Sequence, residues 1–145
     1  MTVTAIVKQK GQSGVATING DTTLEECIAV LARRRIGAVV VSRDGEAIEG
    51  IVSERDIVRV LAEKGRDALE APVSRIMTRT VKTCSADERV DELLTRMTQG
   101  RFRHMPVVEN GRMTGIVSIG DVVAYRLAEL ATEKTALEDM VKGGY

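Results

Sequence analysis

The hydrophobic positions of the chain repeat at a spacing of 66 residues. Apolar side chains at i, i+3, i+4 and i+7 occur first at Leu24, Cys27, Ile28 and Leu31, and again at Val90, Leu93, Leu94 and Met97. This spacing puts four apolar residues on one face of an α-helix, so each half is predicted to contain an amphipathic helix. Asn19 and Ser85 precede the helices at equivalent positions. We expect both to be N-caps, and Ser85 to form a capping box with Glu88.

Two strands and a second helix are predicted to follow in each half. The apolar runs 38–41 and 104–107 are typical of buried strands. Each is followed by a hairpin-forming dipeptide and a second apolar run, at Asp44-Gly45 and 50–53 in the first half and at Asn110-Gly111 and 115–118 in the second. The spacing falls to 65 here because the second hairpin is one residue shorter. The repeated unit is therefore helix, strand, hairpin, strand, helix.

A unit of roughly fifty residues buries little surface by itself, so the two units are expected to form one body. We predict an α+β fold in which two tandem helix-strand-strand-helix repeats pack sheet to sheet with pseudo-twofold symmetry. The expected organisation is a first repeat at 15–65, a linker at 66–80, a second repeat at 81–132 and a C-terminal helical tail at 133–145. Apolar residues along the last helix, among them Leu137 and Met140, form a narrow seam that one chain leaves uncovered.

Composition excludes several classes of function. The 145 residues contain 21 Lys and Arg against 21 Asp and Glu, so no overall field favours nucleic acid or an anionic membrane. An aromatic content of 2% offers no stacking platform for bases. The arginine run 33–35 is interpreted as a solvated helix end, where cations complement the dipole. Without an apolar span or signal sequence, the protein is expected in the cytoplasm.

Cys27 and Cys84 are expected to be free thiols, because neither has a Cys or His at metal-ligand spacing. No metal site is predicted. The chain also lacks phosphate-loop, dinucleotide-binding and nucleophile-elbow motifs, so catalysis is not expected. A redox sensor would need an accessible thiol in an electropositive setting, whereas Cys27 lies on an apolar helix face.

A Ser-x-x-Asp sequence occurs at the start of the last helix of both repeats, as Ser53 with Asp56 and as Ser118 with Asp121. An ionised Asp accepts hydrogen bonds only, and therefore suits the two vicinal hydroxyls of a ribose. A Ser at a helix N-terminus offers a hydroxyl and free amides to a phosphate. The same residues also form a capping box, which a repeated fold would repeat without any ligand. Both interpretations remain open from these residues alone.

The heptapeptides GIVSERD at 50–56 and GIVSIGD at 115–121 resemble the G-h-x-[S/T]-x-x-D motif of the CBS-domain family, named for cystathionine β-synthase. The segment RHMPV at 103–107 similarly resembles that family's basic, apolar, Pro-Val strand. The resemblance covers residues 15 to about 132 and implies a stand-alone pair of bacterial type that forms a disc, often dimerises and regulates a separate protein. It also implies clefts that bind AMP, ADP, ATP, NAD(H) or S-adenosylmethionine, with AMP expected here.

By this resemblance, nucleotide contacts are expected at Thr17, Ser53, Arg55, Asp56, Thr83, Arg103, His104, Met105, Pro106, Ser118, Gly120 and Asp121. The two repeats differ where phosphate would bind. Repeat 2 has Arg103-His104 where repeat 1 has Gly37-Ala38, and repeat 1 has Arg55 where repeat 2 has Gly120. We therefore expect two inequivalent clefts, with Arg103, His104 and Ser118 at the phosphate of repeat 2. The alternative function is a ligand-free scaffold that dimerises or docks a partner.

Overall fold

The computed structural model describes residues 1–10 and 15–143, which form ten helices and strands and two short 3₁₀ turns. In chain order they are α1 (Val3–Gln9), β1 (Thr17–Ile18), α2 (Leu24–Arg34), β2 (Ala38–Val41), β3 (Gly50–Ser53), α3 (Glu54–Lys64), the 3₁₀ turns Gly65–Glu70 and Val73–Arg75, α4 (Val90–Gly100), β4 (His104–Glu109), β5 (Arg112–Ser118) and α5 (Ile119–Gly143). The predicted α+β fold of two tandem helix-strand-strand-helix repeats is confirmed.

The first helix of each repeat begins later than the N-cap prediction placed it. Thr23 caps α2, accepting a hydrogen bond from the Glu26 N–H, while the Glu26 carboxylate accepts one from the Thr23 N–H. The predicted cap Asn19 instead accepts a hydrogen bond from the Asp21 N–H, which closes a turn ahead of the helix. A side-chain cap is effective only directly before the first helical turn, and Asn19 lies too far upstream.

The predicted capping box at Ser85 is likewise displaced from its helix. The Glu88 carboxylate accepts a hydrogen bond from the Ser85 N–H at 2.8 Å, as in a capping box, but α4 begins only at Val90. The residue at the N-cap position is Arg89, which makes no side-chain cap. The Ser85 and Glu88 contact therefore stabilises a turn before α4 rather than the helix end.

Each repeat contains one antiparallel hairpin with a parallel segment beside it. In repeat 1, β1 pairs in parallel with β2, and β2 pairs with β3 so that Ala38 lies opposite Ser53. In repeat 2, β4 pairs with β5 so that His104 lies opposite Ser118, and Cys84 makes a parallel bridge to Val107. The Asn110-Gly111 turn is confirmed as a two-residue hairpin loop, since both residues have positive φ angles, 52° and 77°.

An N-terminal helix that precedes repeat 1 in sequence packs on repeat 2. Val3 and Ile6 of α1 are buried in the same apolar cluster as Leu93 and Met97 of α4. Backbone hydrogen bonds from the Val3 N–H to the Glu88 carbonyl and from the Val90 N–H to the Met1 carbonyl hold the helix in place.

The repeats have separate apolar cores and meet through their sheet regions. One core is centred on Leu24, Cys27 and Val52, and the other is the cluster that contains Ile6 and Leu93. The Met113 N–H of β5 donates to the Glu46 carbonyl in the loop between β2 and β3. None of the helices in residues 1–10 and 15–143 combines the length and hydropathy needed to cross a bilayer.

Candidate functional site

Both Ser-x-x-Asp sequences lie where a strand passes directly into a helix. The Asp56 N–H donates to the Ser53 hydroxyl at 3.3 Å, and the Ser53 N–H donates to the Asp56 carboxylate at 3.0 Å. In the second pair the Asp121 N–H donates to the Ser118 hydroxyl at 3.1 Å, and the Ser118 N–H donates to the Asp121 carboxylate at 2.9 Å. Both pairs are therefore true capping boxes, and each one fixes a carboxylate and a hydroxyl at a helix N-terminus.

Two clefts run along the boundary between the repeats. Cleft A has a volume of about 630 Å³ and is lined by Val7, Lys10, Val15, Ala16, residues 34–38, His104, residues 114–116, Ser118 and Asp121. Cleft B has a volume of about 220 Å³ and is lined by Gly37, Ile51, residues 53–56, Thr78, residues 80–82 and residues 101–104. Each cleft therefore combines the Ser-x-x-Asp pair of one repeat with residues of the other.

Gly37 and His104 line both clefts. A β-carbon on Gly37 would lie only 3.3 Å from the Cε1 and Nε2 atoms of the His104 ring. The absence of a side chain at residue 37 thus leaves room for the imidazole, and this pair forms part of the wall that the two clefts share.

The structure groups the cations differently from the expectation. Arg103 lines cleft B, together with Arg55, Ser53 and Asp56. Its neighbour His104 lines cleft A as well, where Asp121 lies. Adjacent residues at the start of a strand direct their side chains to opposite sides, so neighbours in sequence are readily divided between two clefts. Arg55 and Arg103 thus belong to one cleft.

The carboxylate of Asp121 lies in contact with a cation that directly follows α1. Lys10 Nζ is 2.8 Å from Asp121 Oδ2, and it also donates to the Ile116 carbonyl at 3.0 Å. Burial by itself would raise the pKa of Asp121, but hydrogen bonds from Lys10 and Ser118 outweigh it and hold the pKa below its ordinary value. Asp121 is therefore ionised at neutral pH.

In cleft B, Asp56 is buried and accepts hydrogen bonds from both the N–H and the hydroxyl of Ser53. Its second oxygen is paired with Arg59, which lies three residues further along α3. The carboxylate of cleft B is thus paired with a cation of its own helix, whereas the carboxylate of cleft A is paired with Lys10, which follows α1.

Burial lowers the pKa of His104, and the positive charge of Lys10 lowers it further. Asp121 and Glu54 oppose the shift without cancelling it. The imidazole is neutral at pH 7 and therefore offers one donor and one acceptor.

Five predicted contacts lie outside the linings of the two clefts. Thr17 and Thr83 are two of these. The residues just before them line the clefts instead, namely Val15 and Ala16 in cleft A and Val81 and Lys82 in cleft B. Met105 is fully buried in the core of repeat 2, because it faces away from the clefts on β4, and Pro106 is buried within the same strand. Gly120 is exposed in the first turn of α5.

The clefts also contain cations that were not predicted as site residues. Lys10, Arg34 and Arg35 line cleft A, and Lys82 and Arg101 line cleft B. The end of α2, interpreted above as a solvated helix end, therefore also contributes to a cleft. The 66-residue spacing could have pointed to two of these cations, because it pairs Arg35 with Arg101. Both residues have left-handed backbones, with φ angles of 55° and 58°.

Comparison with known proteins identifies the family. The CBS-domain family model matches residues 11–63 and 73–128. The chain belongs to the CBS-domain family. It is 34% identical to the CBS domain-containing protein CBSX3, mitochondrial, of Arabidopsis thaliana, over 99% of this chain and 73% of that protein. In several other Arabidopsis relatives the chain matches only about a quarter of the relative's length.

Two solved CBS structures are close to this fold. The CBS-domain containing protein ATU1752 of Agrobacterium tumefaciens is 42% identical with a TM-score of 0.83, covering 87% of this chain and 99% of that one. The CBS domain protein PAE2072 of Pyrobaculum aerophilum, solved in complex with AMP, is 28% identical with a TM-score of 0.76, covering 91% and 99%. The prediction of a tandem CBS pair is confirmed.

Proposed function

We propose that this CBS pair binds an adenine nucleotide, with AMP as the expected ligand and ATP, ADP or NAD(H) as alternatives, and thereby modulates a separate partner protein. The observation that carries the proposal is that each cleft combines an ionisable Ser-x-x-Asp carboxylate with several cations. A carboxylate accepts hydrogen bonds from ribose hydroxyls, and cations neutralise phosphate. The AMP complex of the Pyrobaculum relative supports the choice of ligand.

The charges of the clefts favour an anionic ligand in both. Cleft B is lined by four cations, Arg55, Lys82, Arg101 and Arg103, against the acidic Glu54 and Asp56. Cleft A is lined by three cations against Asp121 as its one acidic residue among those described. Because the clefts also differ in volume, we expect two binding events of unequal affinity.

A thermal-shift panel of AMP, ADP, ATP, NAD and NADH tests the proposal. A ligand at one hundred times its Kd stabilises the folded state by about 2.7 kcal/mol. For a chain of this size that corresponds to roughly 5–10 °C in Tm. GMP and inorganic phosphate are the matched controls for base and phosphate. If no adenine nucleotide shifts the Tm, the ligand-free scaffold is the better hypothesis.

We propose a regulatory rather than a catalytic role, in the cytoplasm. Cys27 and Cys84 are buried free thiols, and burial raises their pKa to about 11 and about 12. Such thiols are poor nucleophiles and poor redox sensors, and free thiols are typical of reducing compartments. Thiol reagents at pH 8 should label neither cysteine until a denaturant is added. Rapid labelling of the native protein would restore the redox-sensor alternative.

We further propose that the functional unit is a homodimer. An apolar groove between α2 and α3 is lined by Ile28, Leu31, Ala32, Ile36, Ile57, Val58 and Leu61, and Val58 is 67% exposed. The far half of α5 exposes Leu130, Leu137, Met140 and Val141. Surfaces of this kind on a small protein favour association of identical copies.

Light scattering at micromolar concentration should give twice the chain mass. Val58→Glu should shift the protein towards monomer if the groove contributes, and truncation after Leu130 should do so if α5 contributes. A wild-type protein that stays monomeric at that concentration would contradict the proposal.

A further inference from the structure

Lys10 occupies a hydrogen-bonding position on the Asp121 carboxylate in cleft A. The Oδ2 atom of Asp121 already accepts the Ser118 N–H at 2.9 Å and the Lys10 ammonium at 2.8 Å. A carboxylate oxygen has about two acceptor positions, so these two donors fill Oδ2. A ribose that hydrogen-bonds both oxygens of Asp121 through its vicinal hydroxyls must therefore displace Lys10.

The contact joins parts of the chain that are far apart in sequence. Lys10 follows α1 directly, and Asp121 is in the first turn of α5. Among the described residues, the corresponding ion pair of cleft B is local, because Asp56 is paired with Arg59 on the same helix. Competition between ligand and α1 is thus specific to cleft A.

We propose that Lys10 is a specificity-determining residue that disfavours unphosphorylated nucleosides in cleft A. A nucleoside that binds both oxygens of Asp121 must displace the ammonium and has no phosphate to pair with it. A nucleotide displaces the same ammonium but keeps it in the cleft as a cation for its phosphate. The inference rests on the proposed function in one respect, namely that the ligand carries a ribose bound by Asp121.

The displacement is small enough to occur in a folded protein. Val3 and Ile6 anchor α1 in the core of repeat 2, so only the lysine side chain needs to move. The side chains of Lys10 and Asp121 are 40% and 29% exposed. An ion pair at that exposure is weak, and its loss corresponds to a change of about two- to fivefold in an equilibrium constant.

Calorimetric titration of Lys10→Met with adenosine and AMP tests the proposal. Adenosine should bind cleft A about two- to fivefold more tightly than it binds the wild type, because the competitor is gone. AMP should show no such gain, so the AMP-to-adenosine preference should fall. Lys8→Met is the matched control, since Lys8 is an exposed lysine in the last turn of α1 and lies outside the cleft lining. It removes the same charge and should leave both affinities unchanged.

A second measurement uses the unaltered protein. Saturating adenosine should speed the reductive methylation of Lys10, followed by mass spectrometry, while Lys8 in the same sample serves as the internal reference. Unchanged methylation of Lys10 in the adenosine complex would overturn the proposal, as would equal adenosine affinities of the wild type and Lys10→Met. In either case AMP binding by the wild type would leave the proposed function standing. Failure of both ligands to bind the wild type would overturn the two together.

Discussion

Gly50 and Gly115 open the same motif in the two repeats, yet their surroundings predict opposite responses to alanine. A β-carbon on Gly50 would lie 2.5 Å from Met77 Sδ and 3.0 Å from the Thr78 carbonyl oxygen. Met77 is flexible, but the Thr78 carbonyl accepts a hydrogen bond from the Ile51 N–H at 3.0 Å and cannot move without losing it. We therefore expect Gly50→Ala to force a shift of the backbone beside β3.

The expected magnitude follows from these distances. Overpacking of this kind typically costs about 1–3 kcal/mol. A β-carbon on Gly115 would lie 3.4 Å from the two methyl groups of Val7, which is an ordinary van der Waals contact. Gly115→Ala removes conformational entropy from the unfolded chain, so it should be neutral or stabilise by up to about 1 kcal/mol.

Thermal and urea denaturation of the two single variants measure the difference. At about 2–4 °C per kcal/mol for a chain of this size, Gly50→Ala should lower the Tm by roughly 2–12 °C, and Gly115→Ala should leave it equal or slightly higher. The Gly115 variant is the control for the general effect of adding a methyl group at this motif position. Equal Tm changes in the two variants, or a Gly50→Ala protein as stable as the wild type, would refute the steric argument.

Three further predictions concern the clefts. The pKa of His104 is lowered in the folded protein, so the unfolded state binds its proton first as the pH falls through about 6.5. Stability should therefore decline below that pH more in the wild type than in His104→Gln by urea denaturation, and parallel pH profiles would contradict this. Asp121→Ala should weaken AMP binding more than Asp121→Asn, because Asn keeps one acceptor for a ribose hydroxyl. The ribose role fails if affinity falls only in proportion to the Tm lost with the cap. In cleft B, Arg103→Ala and Arg55→Ala should each reduce the preference for AMP over adenosine by about tenfold, near the lower limit for a charged hydrogen bond because both arginines are exposed. Calorimetry that assigns the two losses to different binding events would show that the arginines do not share a cleft.

Local features of the fold were predictable because each depends on residues close together in sequence. The apolar spacing at Leu24 to Leu31 predicted the buried face of α2, and Asn110-Gly111 predicted a two-residue hairpin. The Ser-x-x-Asp sequences predicted capping boxes for the same reason, since a cap joins residues three apart. The N-cap at Asn19 was wrong because several polar residues precede α2, and only their backbone geometry selects Thr23.

The sequence by itself therefore determined the repeat, its elements and the residue types available to a site. Only the tertiary structure decided which of those residues share a cleft. It places Lys10 on Asp121 and α1 against repeat 2, and it groups Arg103 with Asp56 rather than with Asp121. Periodicity reports which face of a helix or strand is buried, but contacts between distant segments depend on how those faces pack together. For that reason the sequence predicted two inequivalent clefts. Which residues line each cleft depended on how one repeat packs against the other.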